Sequence, residues 1–311
     1  MKAPVVLFVY NRADRIEKLL VSLIQNPECK DTELYIFSDG PKTERDAAKV
    51  RAVREKISGL ELNEKFLAVR MICSEKNKGL ASAIISGIDF VLENHDRVIV
   101  IEDDNVVASD FLDYMNRGLE YYQNNQNVWA INAFSRDMPF PLDYTYDVYA
   151  VQRISSYSWG TWADRWRKTE WGIEKYYPSF FWKRKTRRLF DMYGEDRSLM
   201  LDAQICGKVN SWAIRFEFSM IKNNTYCIAP CISRTYCTGN DGSGTHSRKI
   251  VKGFEANLSD GSRKAIFKDV ELREDIRKEF CKPYRNSWKR RIIRNLDFII
   301  CYFSQHRLRG E

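Results

Sequence analysis

The sequence lacks the features that would assign it to several large classes of protein. No stretch of about 18 uncharged apolar residues is present, so we expect no membrane-spanning helix. The first apolar run, Val5–Tyr10, has the length of a strand and no small-residue cleavage site after it, so we expect no signal peptide. No internal repeat is apparent. Aromatic residues make up 13% of the 311 residues, which argues against a disordered chain.

Histidine is scarce, and the cysteines are not spaced as metal ligands. The chain has 3 His and 8 Cys. Cys227, Cys231 and Cys237 could form a zinc set with His246, but none of them forms a compact pair such as CxxC. Without a signal for secretion, reduced and buried thiols are the better interpretation.

Charge is distributed unevenly along the chain. The net charge is +8, and the segment from Cys281 to Glu311 has eight Lys or Arg against two acids. One helical face of this basic segment carries Ile292, Leu296, Ile299, Ile300 and Phe303. This pattern predicts a basic amphipathic helix at a membrane interface, and a C-terminal helix docked on the core is the alternative.

The first 135 residues alternate between strand and helix patterns. Strands are predicted at 5–10, 34–37, 66–73, 97–101 and 128–134, with helical spacing between them. Such alternation with short connections predicts an α/β fold with a mostly parallel sheet flanked by helices. The later part is rich in Tyr and Trp and has no evident linker, so we expect it to elaborate the same domain.

The strongest chemical signal is Glu102-Asp103-Asp104, which directly follows the apolar strand Val98–Ile101. In open parallel sheets, ligands bind beyond the carboxyl ends of the strands. Three adjacent carboxylates repel one another, and a hard divalent ion with room for phosphate oxygens relieves that conflict. The alternative is an acidic turn before the helix that starts near Ser109.

Other strand ends supply polar groups to the same predicted edge. Tyr10, Asn11 and Arg12 end the first strand, and Asp39 in a Ser-Asp-Gly turn ends the second. Asn77 and Lys78 precede a predicted helix, where backbone N–H groups and Lys78 could contact phosphate. An ordinary turn at Asp39 and a solvated charge at Lys78 are the alternatives.

An ordered set of segments carries a family resemblance: Pro4–Arg12, Ser38–Gly40, Asn77–Ala81 and Glu102–Asp104. This set resembles the GT-A glycosyltransferases, and the bacterial family 2-like enzymes most closely. Glu102–Asp104 and Ile232–Thr235 are also similar to the N-acetylglucosaminyltransferase I family. The resemblance covers residues 3 to 250 approximately, and Ser158–Trp162 and Asp241–His246 look typical of bacterial polysaccharide transferases.

The resemblance implies a GT-A fold, a nucleotide-diphosphate sugar donor, Mn²⁺ or Mg²⁺, and inversion at the anomeric carbon. It implies that Asp104 binds the metal, Asp103 contacts the ribose or a metal-bound water, and Glu102 contacts the donor sugar. Asp39 would contact the base or ribose, with Asn11 and Arg12 at the border of the nucleotide pocket.

An inverting displacement also needs a carboxylate base beside the acceptor hydroxyl. In the N-acetylglucosaminyltransferase I pattern this base is an Asp directly after a Trp, but here Ala213 follows Trp212. We therefore predict Asp202 as the base, with Glu217 as the second candidate. For Asp202 a helix cap or a local hydrogen bond is the alternative.

The acceptor is assigned to the second half of the chain. Trp159 and Trp162 could form a sugar platform, and filling the core is the alternative. Asp164 is placed with them, unless it pairs with a neighbouring arginine. The glycine-rich segment 239–246 is a candidate lid that would bring His246 to a donor phosphate.

The sequence thus predicts a metal-dependent inverting glycosyltransferase with a glycan or lipid-linked acceptor, acting in bacterial surface polysaccharide or lipopolysaccharide synthesis. The domain would span 1–265, with a nucleotide-sugar half (1–135) and an acceptor half (136–265), followed by a basic helical extension (266–311). We expect it in the cytoplasm, in peripheral contact with the inner face of the plasma membrane, and not on nucleic acid. The alternatives are a sugar nucleotidyltransferase, whose glycine-rich loop is missing after strand one, and a non-catalytic basic adaptor for membranes or nucleic acid.

Overall fold

The computed structural model describes residues 2–173, 184–238 and 255–285, and six helical positions between 292 and 300. The first half builds four parallel strands: β1 (Val5–Val9), β2 (Glu33–Ser38), β3 (Ala68–Cys73) and β4 (Arg97–Glu102). Their order is β3-β2-β1-β4. The prediction of a parallel sheet is therefore confirmed for this half of the chain.

Helices cover both faces of this half. They are α1 (Ala13–Leu23), α2 (Glu44–Ser58), α3 (Leu80–Leu92) and α4 (Phe111–Tyr121). The residues of β1 alternate between two cores, because successive side chains of a strand point to opposite faces. Leu7 lies in the core that contains α1 and α4, and Phe8 lies in the core that contains α3.

The second half extends the same sheet with strands of mixed direction. These strands are β6 (Val128–Asn132), β7 (Val148–Val151), β8 (Trp159–Trp162) and β9 (Tyr226–Pro230). The order continues from β4 as β8-β6-β9-β7, and β8 is antiparallel to both of its neighbours. The complete sheet is therefore mixed, and six of the eight described strands run in the same direction, which agrees with the expectation of a mostly parallel sheet.

A small antiparallel ribbon lies beside the end of β4. It pairs β5 (Asn105–Val107) with β10 (Thr235–Cys237). Five further helices complete the described part of the second half. They are α5 (Ala163–Arg167), α6 (Arg184–Phe190), α7 (Arg197–Ile205), α8 (Trp212–Lys222) and α9 (Glu274–Phe280).

The segment after residue 265 packs on the rest of the molecule as far as it is described. Phe267 is buried against Tyr114 and Tyr121 of α4, and Ile276 of α9 lies in the core that contains α3. The start of the predicted extension therefore shares the main core. Further along, the helical positions Ile292, Leu296, Ile299 and Ile300 are exposed. In the part of the chain that the structure describes, no helix is both long and apolar enough to cross a bilayer.

Candidate active site

The register of the sheet brings the predicted donor residues to one edge. Val9 of β1 pairs with Ser38 of β2, and Phe8 of β1 pairs with Glu102 of β4. Since these strands are parallel, the residues that follow them emerge at the same edge. Tyr10, Asp39 and Glu102–Asp104 are therefore neighbours in space, as the sequence predicts.

The acidic cluster, Glu102–Asp104, is held by groups from the end of β1. The backbone N–H of Tyr10 donates to Oδ2 of Asp103 at 3.3 Å, and Arg12 pairs with Oδ2 of Asp104 at 3.1 Å. The charge of Arg15 also acts on Asp103, so two guanidinium groups oppose three carboxylates. When all three are ionised, the cluster carries an excess of negative charge that a cation would offset.

Two of these carboxyl groups have strongly perturbed acidities. Desolvation, and then the charges of Asp104 and Asp103, raise the pKa of Glu102 to about 8. Desolvation, and then the charge of Asp104, raise the pKa of Asp103 to about 7. Burial and crowding of like charges are typical of functional sites, because folding alone gains nothing from them.

Asp39 connects the end of β2 to the start of α3. Its Oδ1 accepts the N–H groups of Gly40 and Lys78, both at 2.9 Å, and its Oδ2 accepts the Gly79 N–H and the Asn77 amide at 3.0 Å. These backbone N–H groups are therefore engaged by a carboxylate and not free for phosphate, which corrects that part of the prediction. The exposed side chain of Lys78 is left to reach an anion.

Gly40, which follows Asp39, is required for a steric reason. A Cβ at Gly40 would lie 2.5–2.7 Å from backbone atoms of Glu75 and Lys76, which is closer than a real contact allows. A larger residue would therefore push apart the two turns that Asp39 joins. The alternative of an ordinary Asp-Gly turn does not account for this close approach.

Tyr10 and Asn11 turn toward α2. The Tyr10 hydroxyl accepts the Lys42 N–H at 3.0 Å, and burial raises the pKa of Tyr10. The Asn11 amide reaches Asp46 at 3.4 Å. Both residues therefore border the edge where Arg12 meets the acidic cluster.

The ribbon of β5 and β10 ties the second half to the acidic cluster. Both the N–H and the hydroxyl of Thr238 donate to the carbonyl of Asp104 at 2.8 Å. Thr238 also accepts from Arg15 at 3.2 Å. The candidate lid begins one residue later. The whole of it, including His246, lies outside the described residues.

Trp212 is a site residue that sequence reasoning missed. Its indole donates a hydrogen bond to Glu102, and its ring stacks on Trp159 with centroids 4.6 Å apart. In the sequence, Trp212 is marked by its spacing before Ile232–Thr235, but that pattern placed the base at the next residue, which is Ala213. Trp212 itself is the residue that reaches the cluster.

The tryptophans assigned to the acceptor lie in the core. Trp159 is fully buried, and Trp162 is 4% exposed with its indole bonded to the Leu119 carbonyl. Because β8 is antiparallel, Trp162 pairs with Arg97, at the end of β4 remote from Glu102. The burial supports the core-filling alternative for both rings.

Asp164 follows Trp162 at the same remote end of β8. It pairs with Arg165 at 2.8 Å and with Gln126, which is the alternative that the sequence offered. The pairing lowers its pKa against the opposing effect of burial. The structure therefore does not bring Asp164 to the donor edge.

The two candidate bases are both held by arginines. Asp202 on α7 forms a bidentate pair with Arg187 on α6, at 2.9 and 2.8 Å. Glu217 on α8 lies 2.8 Å from the Nε of Arg197 and accepts the Ile154 N–H. These are buried structural pairs, and the contacts do not place either carboxylate in the acidic cluster.

The carboxylates suit a divalent ion that is shared with a substrate. Among residues 2–173, 184–238 and 255–285, no three His, Cys, Asp or Glu side chains form a ready-made metal cage. Mg²⁺ and similar ions are commonly bound by one or two carboxylates together with substrate phosphates. The crowded acids Asp103 and Asp104 fit that pattern, because a cation would offset their repulsion. None of the seven cysteines that the structure describes forms a disulfide.

Comparison with protein families matches residues 5–196 to the family described as Glycosyl transferase family 2. The chain belongs to this family. Membership favours the transferase hypothesis over the nucleotidyltransferase and adaptor alternatives. A comparison with curated proteins gives no match. The similarity to N-acetylglucosaminyltransferase I stays a prediction.

Among solved structures, the family 2 chain is similar to mannosyltransferase PcManGT from Pyrobaculum calidifontis in complex with GDP-Man and Mn²⁺. The identity is 18%, over 51% of this chain and 44% of that one, with a TM-score of 0.37. It is similar to S. aureus TarS 1–349 at 11% identity, over 78% and 61%, with a TM-score of 0.41. It is similar to S. aureus TarS 1–349 in complex with UDP-GlcNAc at 12% identity, over 76% of this chain and 58% of that one, with a TM-score of 0.41. This chain spans less than two thirds of each of these structures.

The crowding of the acidic cluster predicts an unusual pH dependence of stability. The folded pKa values of Glu102 and Asp103 lie above the ordinary values of 4.5 and 3.8, so the folded state holds protons that the unfolded state releases. In metal-free buffer the free energy of unfolding should therefore fall, by on the order of 1–3 kcal/mol, as pH rises from about 5 to about 8.

Asp104→Asn should reduce this fall, because it removes a charge that raises both pKa values. Urea unfolding of both proteins in EDTA at the two pH values measures the difference. An equal fall in the variant would show that like-charge crowding is not its cause.

Because Glu217 is held in an ion pair, we expect its substitution to lower the stability of the fold rather than to reduce turnover selectively. Arg197 is fully buried, so Glu217→Gln leaves its charge without a partner and should cost about 3–5 kcal/mol. The matched control is Glu17→Gln, because the side chains of Glu17 and its partner Lys56 are 45% and 40% exposed and their pair should contribute within about 1 kcal/mol. Chemical denaturation measures both, and equal costs would contradict the structural role of Glu217.

Proposed function

We propose that this chain is a divalent-metal-dependent inverting glycosyltransferase that uses a nucleotide-diphosphate sugar. The observation that carries the proposal is the acidic cluster at the end of β4, bordered by Arg12 and lying at the same edge of the sheet as the Asp39 turn. A nucleotide sugar combines a base, a ribose, a pyrophosphate and a sugar. Carboxylates that hold a cation, next to exposed basic groups, are complementary to that combination.

On the donor side, Asp103 and Asp104 would hold Mn²⁺ or Mg²⁺ with the pyrophosphate. The ion supplies positive charge that offsets the charge developing on the leaving nucleoside diphosphate. Glu102, oriented by Trp212, would accept a hydrogen bond from a hydroxyl of the donor sugar. Arg12, Lys78 and the lid residue His246 would contact the phosphates.

The nucleotide itself would lie over the ends of β1 and β2. Tyr10, Asn11 and Asn77 would border it, and Asp39 would position Asn77 and Lys78 through the contacts described above. This assignment makes Asp39 a positioning residue, since its oxygens already accept four hydrogen bonds from the chain. The bound complexes of PcManGT and TarS, with GDP-Man and UDP-GlcNAc, are consistent with such a donor.

Transfer requires a base that takes the proton from the acceptor hydroxyl while the sugar carbon inverts. Asp202 and Glu217 are the carboxylates that the sequence offers for this role. Either one would first have to exchange its arginine partner, since both are paired in this conformation.

The acceptor would be a glycan or a lipid-linked glycan of a bacterial surface polysaccharide or lipopolysaccharide. The exposed apolar positions between 292 and 300 support peripheral contact with the inner face of the plasma membrane. The chain would thus act in the cytoplasm, at the surface where lipid-linked acceptors are displayed.

A thermal-shift panel tests the donor site. UDP, GDP, CMP and dTDP are each added with and without Mn²⁺ to the wild type, to Asp104→Ala and to Asp96→Ala. Asp96 is the matched control, because it is exposed next to the opposite end of β4. One nucleoside diphosphate should stabilise the wild type and Asp96→Ala when Mn²⁺ is present, by about 2.7 kcal/mol at a hundredfold excess over Kd.

The same stabilisation should be lost in Asp104→Ala. If no nucleotide stabilises the wild type, the donor site is refuted. If Asp104→Ala responds like the wild type, metal binding at the acidic cluster is refuted.

A further inference from the structure

The second half of the sheet carries a cavity that the donor site does not use. It has a volume of about 470 Å³ and is lined by residues of the segments that follow β6, β7 and α9. Aromatic, serine and arginine side chains line it together. Aromatic faces and hydroxyl groups are the surfaces to which sugar rings bind.

The sheet register places this cavity next to the acidic cluster. Val100 of β4 pairs with Trp159 of β8, which pairs with Asn132 of β6. The chain enters β8 from Tyr157 and leaves β6 toward Phe134, at the edge of the sheet where β4 ends in Glu102. Tyr157 and Phe134 line the cavity, and their ring centroids lie 4.8 Å apart, so the cavity borders the same edge as Glu102.

A hydrogen bond also joins the two sites. Thr235 of β10 donates to the carbonyl of Tyr157 at 3.3 Å, and its hydroxyl lies 3.2 Å from the carbonyl of Val106. Val106 belongs to β5, directly after the acidic cluster. A group bound in the cavity therefore lies beside the acidic cluster.

The charge of the cavity is positive. Three arginines (Arg136, Arg153 and Arg285) line it, against one carboxylate, Asp196. Asp196 is engaged by Arg153 in a bidentate pair at 2.9 and 2.7 Å. The other two arginines therefore set the charge of the cavity.

Arg136 is the most informative of these residues. It is 9% exposed, and its guanidinium donates to the backbone carbonyls of Asp137 and Glu279. Its Nε has no hydrogen-bond partner, and among the described residues no carboxylate pairs with it. A buried cation without a counter-charge is costly, so this arrangement favours an anion from outside the chain.

We propose that this cavity is the acceptor site and that the acceptor carries an oxyanion, a phosphate or a carboxylate, which Arg136 and Arg285 bind. This inference rests on the proposed function. It moves the acceptor from the buried Trp159 and Trp162 to the neighbouring surface lined by Phe134 and Tyr157. Arginine forks match both kinds of oxyanion.

Calorimetric titration of the full chain tests the proposal with four probes at constant ionic strength: glucose, glucose 6-phosphate, glucuronate and inorganic phosphate. At least one anionic sugar should bind at least tenfold more tightly than glucose and than inorganic phosphate. Whether glucose 6-phosphate or glucuronate binds identifies the oxyanion.

Variants locate the binding. Arg285→Gln should weaken the anionic sugar about tenfold, and because Arg285 is exposed the variant should keep the melting temperature of the wild type. Arg51→Gln, which removes the same charge from an exposed position of α2, should bind like the wild type. Equal affinity in Arg285→Gln, or equal affinity for glucose and both anionic sugars, would overturn the proposal.

The nucleotide panel on the same preparations separates this inference from the proposed function. A metal-dependent nucleotide shift without binding of anionic sugars overturns the acceptor assignment and leaves the donor site intact. Binding of anionic sugars without any nucleotide shift refutes the transferase, and the acceptor assignment with it.

Discussion

Mutual repulsion among Glu102, Asp103 and Asp104 is the constraint around which this site is built. The buried strand β4 carries three carboxylates to the edge of the sheet, where desolvation and their own charges raise two of the pKa values. Arg12, Tyr10 and Trp212 contact these carboxylates through a guanidinium, a backbone N–H and an indole, and the charge of Arg15 also acts on Asp103. When all three carboxylates are ionised, these contacts leave part of their negative charge unopposed.

The rest of the donor edge is rigid by comparison. Asp39 uses both oxygens to tie the turn after β2 to the first turn of α3. The close approach at Gly40 keeps these two turns in contact. A pocket with such walls is formed before a ligand arrives, which lowers the cost of ordering on binding.

Much of the donor half could be predicted because its signals are local. An apolar run that ends in acids, as at Ile101 and Glu102, predicts both the strand and the edge of the sheet at which its carboxylates lie. The acceptor half was harder, because strand direction is not a local property. Nothing in the run around Trp159 and Trp162 shows that β8 is antiparallel, yet that direction buries one ring at the donor edge and carries the other away.

The ion pairs of the two candidate bases could not be predicted from the sequence either. Asp202 and Glu217 have the apolar neighbours expected of a tuned carboxylate, but in each case the arginine partner lies on the preceding helix. The positive cavity was missed for the same reason, since Arg136, Arg153 and Arg285 are brought together by the tertiary fold.

The antiparallel strand β8 has one more consequence. It joins the two halves of the sheet through main-chain hydrogen bonds to β4 and β6, and such bonds do not depend on which side chains the strands carry. Residues 133–157 can therefore diverge in sequence while the register that presents Glu102 stays the same. Because the sheet holds Glu102 in place, the substrate specificity of one half of the molecule can change without altering the acidic cluster in the other half.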